Sequence, residues 1–120
     1  MTAENVYIVQ PVTDAAAEAL HAEAVALIES AGASYAGTLY AKIREINPAT
    51  YLGEGKVEEL RQRLVGLDLT VLFNGELSPS QTVNLSEALD GKKVIDRTTL
   101  ILDIFALRAE SSEGKLQVEL

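Results

Sequence analysis

Cysteine is absent from this chain of 120 residues. That excludes disulfides, thiolate nucleophiles and cysteine-ligated zinc. Histidine is nearly absent, since His21 stands alone. A Ser-His-Asp triad or a multi-histidine metal site would have to use it. It falls in an alanine-rich helical pattern, away from the apolar positions, and reads as a solvated helix residue rather than a partnered catalytic base. Basic residues are scarce, with ten Lys and Arg against 18 Asp and Glu and a formal net charge of −8. Neutralising phosphates in bulk takes clustered cations. Any nucleic-acid contact must therefore come from a local basic patch or from another part of a larger protein. Long apolar runs are missing too, and no window approaches the ~20 residues of a membrane span. The N-terminal "MTAENVYIVQP" lacks the basic region and apolar stretch of a secretory signal. A cytoplasmic location is the expectation. There is no internal repeat and no low-complexity tract.

Hydrophobic residues make up 48% of the chain and charged residues 23%, the balance of a soluble globular protein rather than a disordered one. The length fits one domain that buries roughly two-thirds of the surface exposed when unfolded.

Strand and helix patterns alternate along the chain. "NVYIVQP" reads as a short strand from Val6 to Val9, ended by Pro11. Thr13 or Asp14 then caps a helix running to Ala31, with Leu20, Ala24, Leu27, Ile28 and Ala31 on one face and Gly32 as its stop. "SYAGTLYAKIREI" alternates, sending Tyr35, Leu39, Ala41 and Ile43 one way and Thr38, Tyr40, Lys42 and Arg44 the other. This is a half-exposed strand at a sheet edge. A second helix starts near Gly55, buries Val57, Leu60 and Leu64, and ends at Gly66. "LTVLF" is a fully buried strand. "SPSQ" opens a third helix with Ser78 as N-cap, Pro79 at the first helical position and Gln81 closing a capping box. Leu85 and Leu89 face inward, Gly91 stops it, and "KKVID" is a fourth strand. The last helix begins after Asp96 or Thr98, runs to about Ala109 and is almost encircled by apolar residues, a sign of burial on several sides. "KLQVEL" looks like the start of a further helix cut short. Four such alternations predict an α/β fold, with a small, mainly parallel four-stranded sheet flanked by helices.

The stretch "TYLGEGKVEEL" has the look of a phosphate cradle. A P-loop needs four residues between its glycines and a hydroxyl after the lysine. Here only Glu54 separates Gly53 from Gly55, and Val57 follows Lys56. A Rossmann fingerprint fails as well, because Glu58 takes the place of the third glycine. Glu54, Glu58 and Glu59 suit a helix N-terminus and would repel a triphosphate. The plainer reading is a strand-to-helix connection whose glycines supply unusual backbone angles. Gly53, Gly55 and Lys56 stay in view as a weak nucleotide or RNA-phosphate site. Tyr40, Lys42 and Arg44 form the best basic-aromatic patch, suited to stacking a base and holding phosphate. Charge on an edge strand also serves simply to block sheet-to-sheet pairing. Asp96 reads as a cap or a partner for Arg97. Asp103, in a very apolar helix, reads as a buried carboxylate paired with Arg97 or Arg108. No nucleophile, base and oxyanion donor assemble, so no catalytic or metal-binding residue is assigned.

"TYLGEGKVEEL", "LFNGELSPSQTVNLSEAL" and above all "VIDRTTLILDIFALRAESSEGKLQVEL" resemble the N-terminal domain of the HflX family of ribosome-associated GTPases. The resemblance runs from about Ala31 to Leu120; the first thirty residues match in pattern more than in motif. It implies residues 1–110 as the α/β domain and 111–120 as the start of a helical linker, with the GTPase domain, its GTP and its magnesium further on. It implies binding to the large ribosomal subunit and its RNA near the peptidyl-transferase region, and a part in splitting stalled ribosomes. The expected RNA contacts are Tyr40, Lys42, Arg44, Lys56 and Arg97. On this reading the chain is non-catalytic by itself and needs no cofactor. Two other roles remain open: a nucleotide-binding or ATPase module, as attributed to the N-terminal part of some members, and an intramolecular regulator of the GTPase domain. One departure is "RAESSEG", where Glu110 and Glu113 stand in a stretch often more basic in the family. That weakens any RNA contact at this corner.

Overall fold

The computed structural model describes residues 4–108, with side chains through Asp103. Four strands and four helices alternate: β1 Asn5–Val12, α1 Ala17–Ser30, β2 Ser34–Lys42, α2 Glu54–Leu64, β3 Thr70–Phe73, α3 Pro79–Ala88, β4 Val94–Asp96 and α4 Arg97–Arg108. The sheet is wholly parallel, in the order β2-β1-β3-β4. The predicted α/β class and four-stranded sheet are thus present, with β2 on an edge as expected.

Alternation along the strands builds two cores. One face of the sheet carries Val9, Leu39, Ala41, Val71, Phe73 and Val94, packed against Val57, Leu60 and Leu64 of α2 and Leu85 of α3. The other carries Val6, Ile8, Leu72 and Ile95, packed against Ala24 and Ile28 of α1 and Leu100 of α4. A sheet covered on both sides needs strands that are apolar at every position, and β3 is buried throughout.

Several boundaries depart from the sequence reading. β1 continues through Pro11 to Val12, because Pro11 pairs with Ala41 of β2 while β3 has already ended opposite Val9. The Val9 carbonyl accepts from Asn74 on the β3 side. Pro11, two residues on, shares that orientation, so its missing N–H faces a side with no strand to serve. α1 starts three residues later than Asp14 and has no side-chain cap; Asp14 instead accepts from the Ala16 N–H at 2.8 Å. Leu20 is exposed, and the buried stripe of α1 is Ala17, Ala24 and Ile28. Tyr35 lies on the Thr38 side of β2, not with Leu39. A bulge shifts the register between Val6 and Tyr7, so Tyr35 pairs with Val6 and Gly37 with Tyr7, and the extra residue reverses the facing of Tyr35. The capping box at Ser78 is present, with the Gln81 N–H donating to Ser78 Oγ at 3.1 Å and Gln81 Oε1 accepting from the Ser78 N–H at 2.9 Å. The stops at Gly32, Gly66 and Gly91 all sit at positive φ. The expected linker at 111–120 lies outside the described residues.

Candidate functional site

A parallel sheet sends all its strand-to-helix connections to one end. In doubly wound folds ligands bind there, where the strand order reverses. In this sheet that point lies between β1 and β3, and side chains fill it. Gln10 and Asn74 are buried. Asn74 Nδ2 donates to Gln10 Oε1 at 2.6 Å and to the Leu20 carbonyl of α1 at 3.0 Å. Gln10 Nε2 donates to the Pro11 carbonyl at 3.1 Å. Among the described residues, the buried Asn74 Oδ1 has no hydrogen-bond partner. Sequence reasoning passed over both residues. The available signal was a Gln and an Asn prolonging two apolar strand patterns, where a polar side chain needs an internal hydrogen bond.

The connection from β2 to α2 carries the glycine turn. Gly53 is the N-cap of α2 at φ −65° and ψ 157°, and Gly55 lies in its first turn. Neither has a positive φ, and a β-carbon at either would meet nothing within 4 Å. This corrects the expectation of unusual angles at the glycines. The left-handed residue is Tyr51, at φ 71°. It closes a tight loop with Asn47 through N–H···O bonds of 2.7 and 3.0 Å, and its ring lies 4.7 Å from that of Phe73. Asn84 of α3 ties the loop down by donating to the Ala49 carbonyl at 3.0 Å. Lys56 is already engaged: its Nζ donates to Glu59 Oε1 at 3.0 Å, and Arg63 reaches the same carboxylate. The hydrogen bond from Lys56 leads the effects holding the Glu59 carboxyl below its ordinary range.

At the other side, Asp96 ends β4 and caps α4. Its Oδ1 accepts from the Thr99 N–H at 3.0 Å and hydroxyl at 2.9 Å, and its Oδ2 accepts from the Leu77 N–H at 3.1 Å. Burial pushes this carboxyl up, but the donors from Thr99 and Leu77 outweigh it and hold it below the usual aspartate range. The capping role expected for Asp96 is present; its partnership with Arg97 is not. Arg97 pairs with Glu23, linking α4 to α1. Asp103 is exposed, contrary to the expected buried ion pair, because it lies on the outer side of α4 with Leu102, which is 61% exposed. The side chain of Arg108 lies outside the described residues.

The basic-aromatic patch sits at the carboxyl end of the edge strand. Tyr40, Lys42 and Arg44 are all exposed. His21 is not the solvated residue expected. It is half-buried against β2, with Nε2 2.6 Å from Thr38 Oγ1 and its ring 5.4 Å from Tyr40 and 5.8 Å from Tyr35. The Tyr35 hydroxyl meets the same Thr38 oxygen at 2.6 Å. The five sequence-assigned contacts therefore separate. Tyr40, Lys42 and Arg44 follow one another along β2 and its exit, Lys56 is paired on α2, and Arg97 is paired between α1 and α4. Among the described residues, no group of three or more His, Asp or Glu converges to hold a metal ion, and no helix is long and apolar enough to cross a membrane.

A wholly parallel four-stranded sheet between two helix pairs, with buried amides at its switch point, defines a small three-layer α/β domain. Residues 18–106 match the family described as GTP-binding GTPase N-terminal. Curated relatives include the GTPase HflX of Lacrimispora saccharolytica, 50% identical over 95 residues, covering 78% of this chain and 22% of that protein. The GTPase HflX of Escherichia coli is 45% identical over the same shares. Among solved structures, a GTP-binding protein from the hyperthermophilic archaeon Sulfolobus solfataricus in complex with GDP aligns with a TM-score of 0.65 and 28% identity, over 97% of this chain and 34% of that one. The chain belongs to this family as an HflX-type N-terminal domain, and it spans about a fifth of the length of the curated relatives above.

Proposed function

We propose that this domain is the ribosome-facing N-terminal module of an HflX-type GTP-binding protein. It binds the large ribosomal subunit through ribosomal RNA and supports the splitting or rescue of stalled ribosomes in the cytoplasm. GTP and magnesium belong to a GTPase domain elsewhere in the protein, joined to this one by a helical linker that begins near residue 111. The observation that supports the reading, beyond family membership, is the exposed run Tyr40, Lys42 and Arg44 at the carboxyl end of an open-edged strand. Lys56 and Arg97 contribute only by exchanging their present partners, Glu59 and Glu23. A nucleotide site at Gly53, Gly55 and Lys56 has less support, because the lysine is held by Glu59 and carboxylates crowd the helix start.

Co-sedimentation of the full-length protein with large subunits tests the proposal. Charge reversal at Lys42 and Arg44 together should weaken association and flatten its salt dependence by about one and a half units of slope. Unchanged affinity would remove these residues from the interface.

A further inference from the structure

Beside the basic-aromatic patch lies a groove of about 820 Å³, lined by Val12, Asp14, Ala15, Glu18, Tyr40 and Lys42, with buried Ala17 beneath. It opens at the carboxyl ends of β1 and β2, one strand away from the plugged switch point. Its floor and walls are apolar apart from four groups. Tyr40 presents a half-exposed ring, 49% accessible, whose neighbour His21 is fixed by the Thr38 hydroxyl. Lys42 is exposed, and among the described residues no carboxylate lies within 4 Å of its ammonium. Asp14 accepts from the Ala16 N–H on one oxygen, and among the described residues no donor meets the other. Glu18 is exposed in the first turn of α1.

We propose that this groove takes a single unpaired guanine of an RNA strand. An aromatic platform held by its own neighbours binds a flat ring at low ordering cost. Carboxylates are acceptors only. Guanine alone among the four RNA bases offers them two adjacent donors on its Watson–Crick edge, N1–H and the N2 amino group; uracil offers one donor flanked by carbonyls. Lys42 is placed for the adjoining phosphate. A cationic side chain from a protein is the weaker occupant, since Lys42 and the positive end of α1 both oppose it. Base stacking also explains how a chain of net charge −8 would engage RNA at all: it holds one base and one phosphate rather than a length of backbone.

The inference deepens the ribosome reading but is tested without ribosomes, so each can fail alone. The ¹⁵N-labelled chain is titrated with rUUGUU, rUUAUU, rUUUUU, guanosine monophosphate and a short acetylated Arg-Gly-Arg peptide. The expected result is that rUUGUU moves the amides of residues 12–18 and 40–42 and binds about tenfold more tightly than rUUUUU. Tyr40→Ala should weaken rUUGUU by about tenfold. Glu18→Gln, conservative on an exposed helix turn, should erase the preference for guanine while keeping a dispersed spectrum. A salt slope near −0.7, one phosphate, is expected. Equal affinity for all three oligonucleotides, shifts confined to other residues, or a Glu18→Gln chain that still prefers guanine would overturn it. Guanosine monophosphate binding as tightly as rUUGUU would overturn the RNA assignment, and so would the arginine peptide displacing rUUGUU from these residues.

Discussion

Tyr7 and Gly37 face each other across the β1–β2 pair, and a β-carbon on Gly37 would lie 2.9 Å from Cε1 of the Tyr7 ring. Gly37 has φ +149°, which side chains rarely adopt, and it sits where the register shifts. Tyr7 in turn packs on the core and accepts from Arg63 Nη1 at 3.2 Å. Gly37→Ala should therefore destabilise the domain by about 1–3 kcal/mol, from strain and displacement of the ring together. Urea unfolding measures this. In a Tyr7→Ala background the cost should shrink to the backbone part alone; an unchanged cost would show that the ring is not the obstacle.

Gly55→Ala should go the other way. The position is helical, exposed and open, so the substitution removes only the entropy glycine carries in the unfolded chain. A gain of about 0.5–1 kcal/mol is expected, visible as a melting temperature a few degrees higher. Destabilisation would mean that the turn needs glycine after all.

That contrast shows what the sequence could carry. The α/β class, the edge position of β2 and the Ser78 capping box follow from short-range patterns, and the capping box survives atom by atom. The strand order 2-1-3-4 does not follow, because it depends on which pairs of strands bury more surface together. In "TYLGEGK" the glycines looked like the special backbone, yet Tyr51 holds the left-handed angle. The tight Asn47 closure and the ring contact with Phe73 hold it there, and Phe73 is too distant in the chain for a local reading. His21 escaped for the same reason, since its partner Thr38 is 17 residues away. Lys42 and Arg44 were legible because exposure on an alternating strand is a local property. The groove beside them was not, because it forms only when β1, α1 and β2 meet.

Asp96 joins three segments through one carboxylate: the end of β4, the start of α4 and Leu77 before α3. Asp96→Ala should cost about 2 kcal/mol, a lost cap together with an unsatisfied N–H. The same bonds set a pH dependence. The folded-state carboxyl is held below its ordinary value near 3.8. Its contribution is thus complete above that pH and is lost as pH falls through the lower folded value, because the unfolded chain takes up the proton first. Unfolding curves between about pH 6 and pH 2.5 should show this loss in the native chain, with a smaller slope in Asp96→Asn.

The buried amide pair gives a dependence of opposite sign. Asn74 Nδ2 serves two acceptors at once, Gln10 Oε1 and the Leu20 carbonyl; the latter keeps its donor within α1, so Asn74→Ala should cost about 1–3 kcal/mol, chiefly by leaving the buried Gln10 Oε1 without its donor. Asn74→Asp keeps the shape and replaces the donor by an acceptor. An ionised carboxylate there would face two oxygens away from water, so the folded state must hold it protonated and its pKa rises on folding. The folded form then binds a proton that the unfolded form releases above about pH 4. Stability of Asn74→Asp should be highest in acid and fall as pH rises from about 4 towards the raised folded value. Denaturation midpoints taken from pH 4 to pH 8 would show a decline for this variant where the native chain shows none, and a flat profile would mean that water reaches the site.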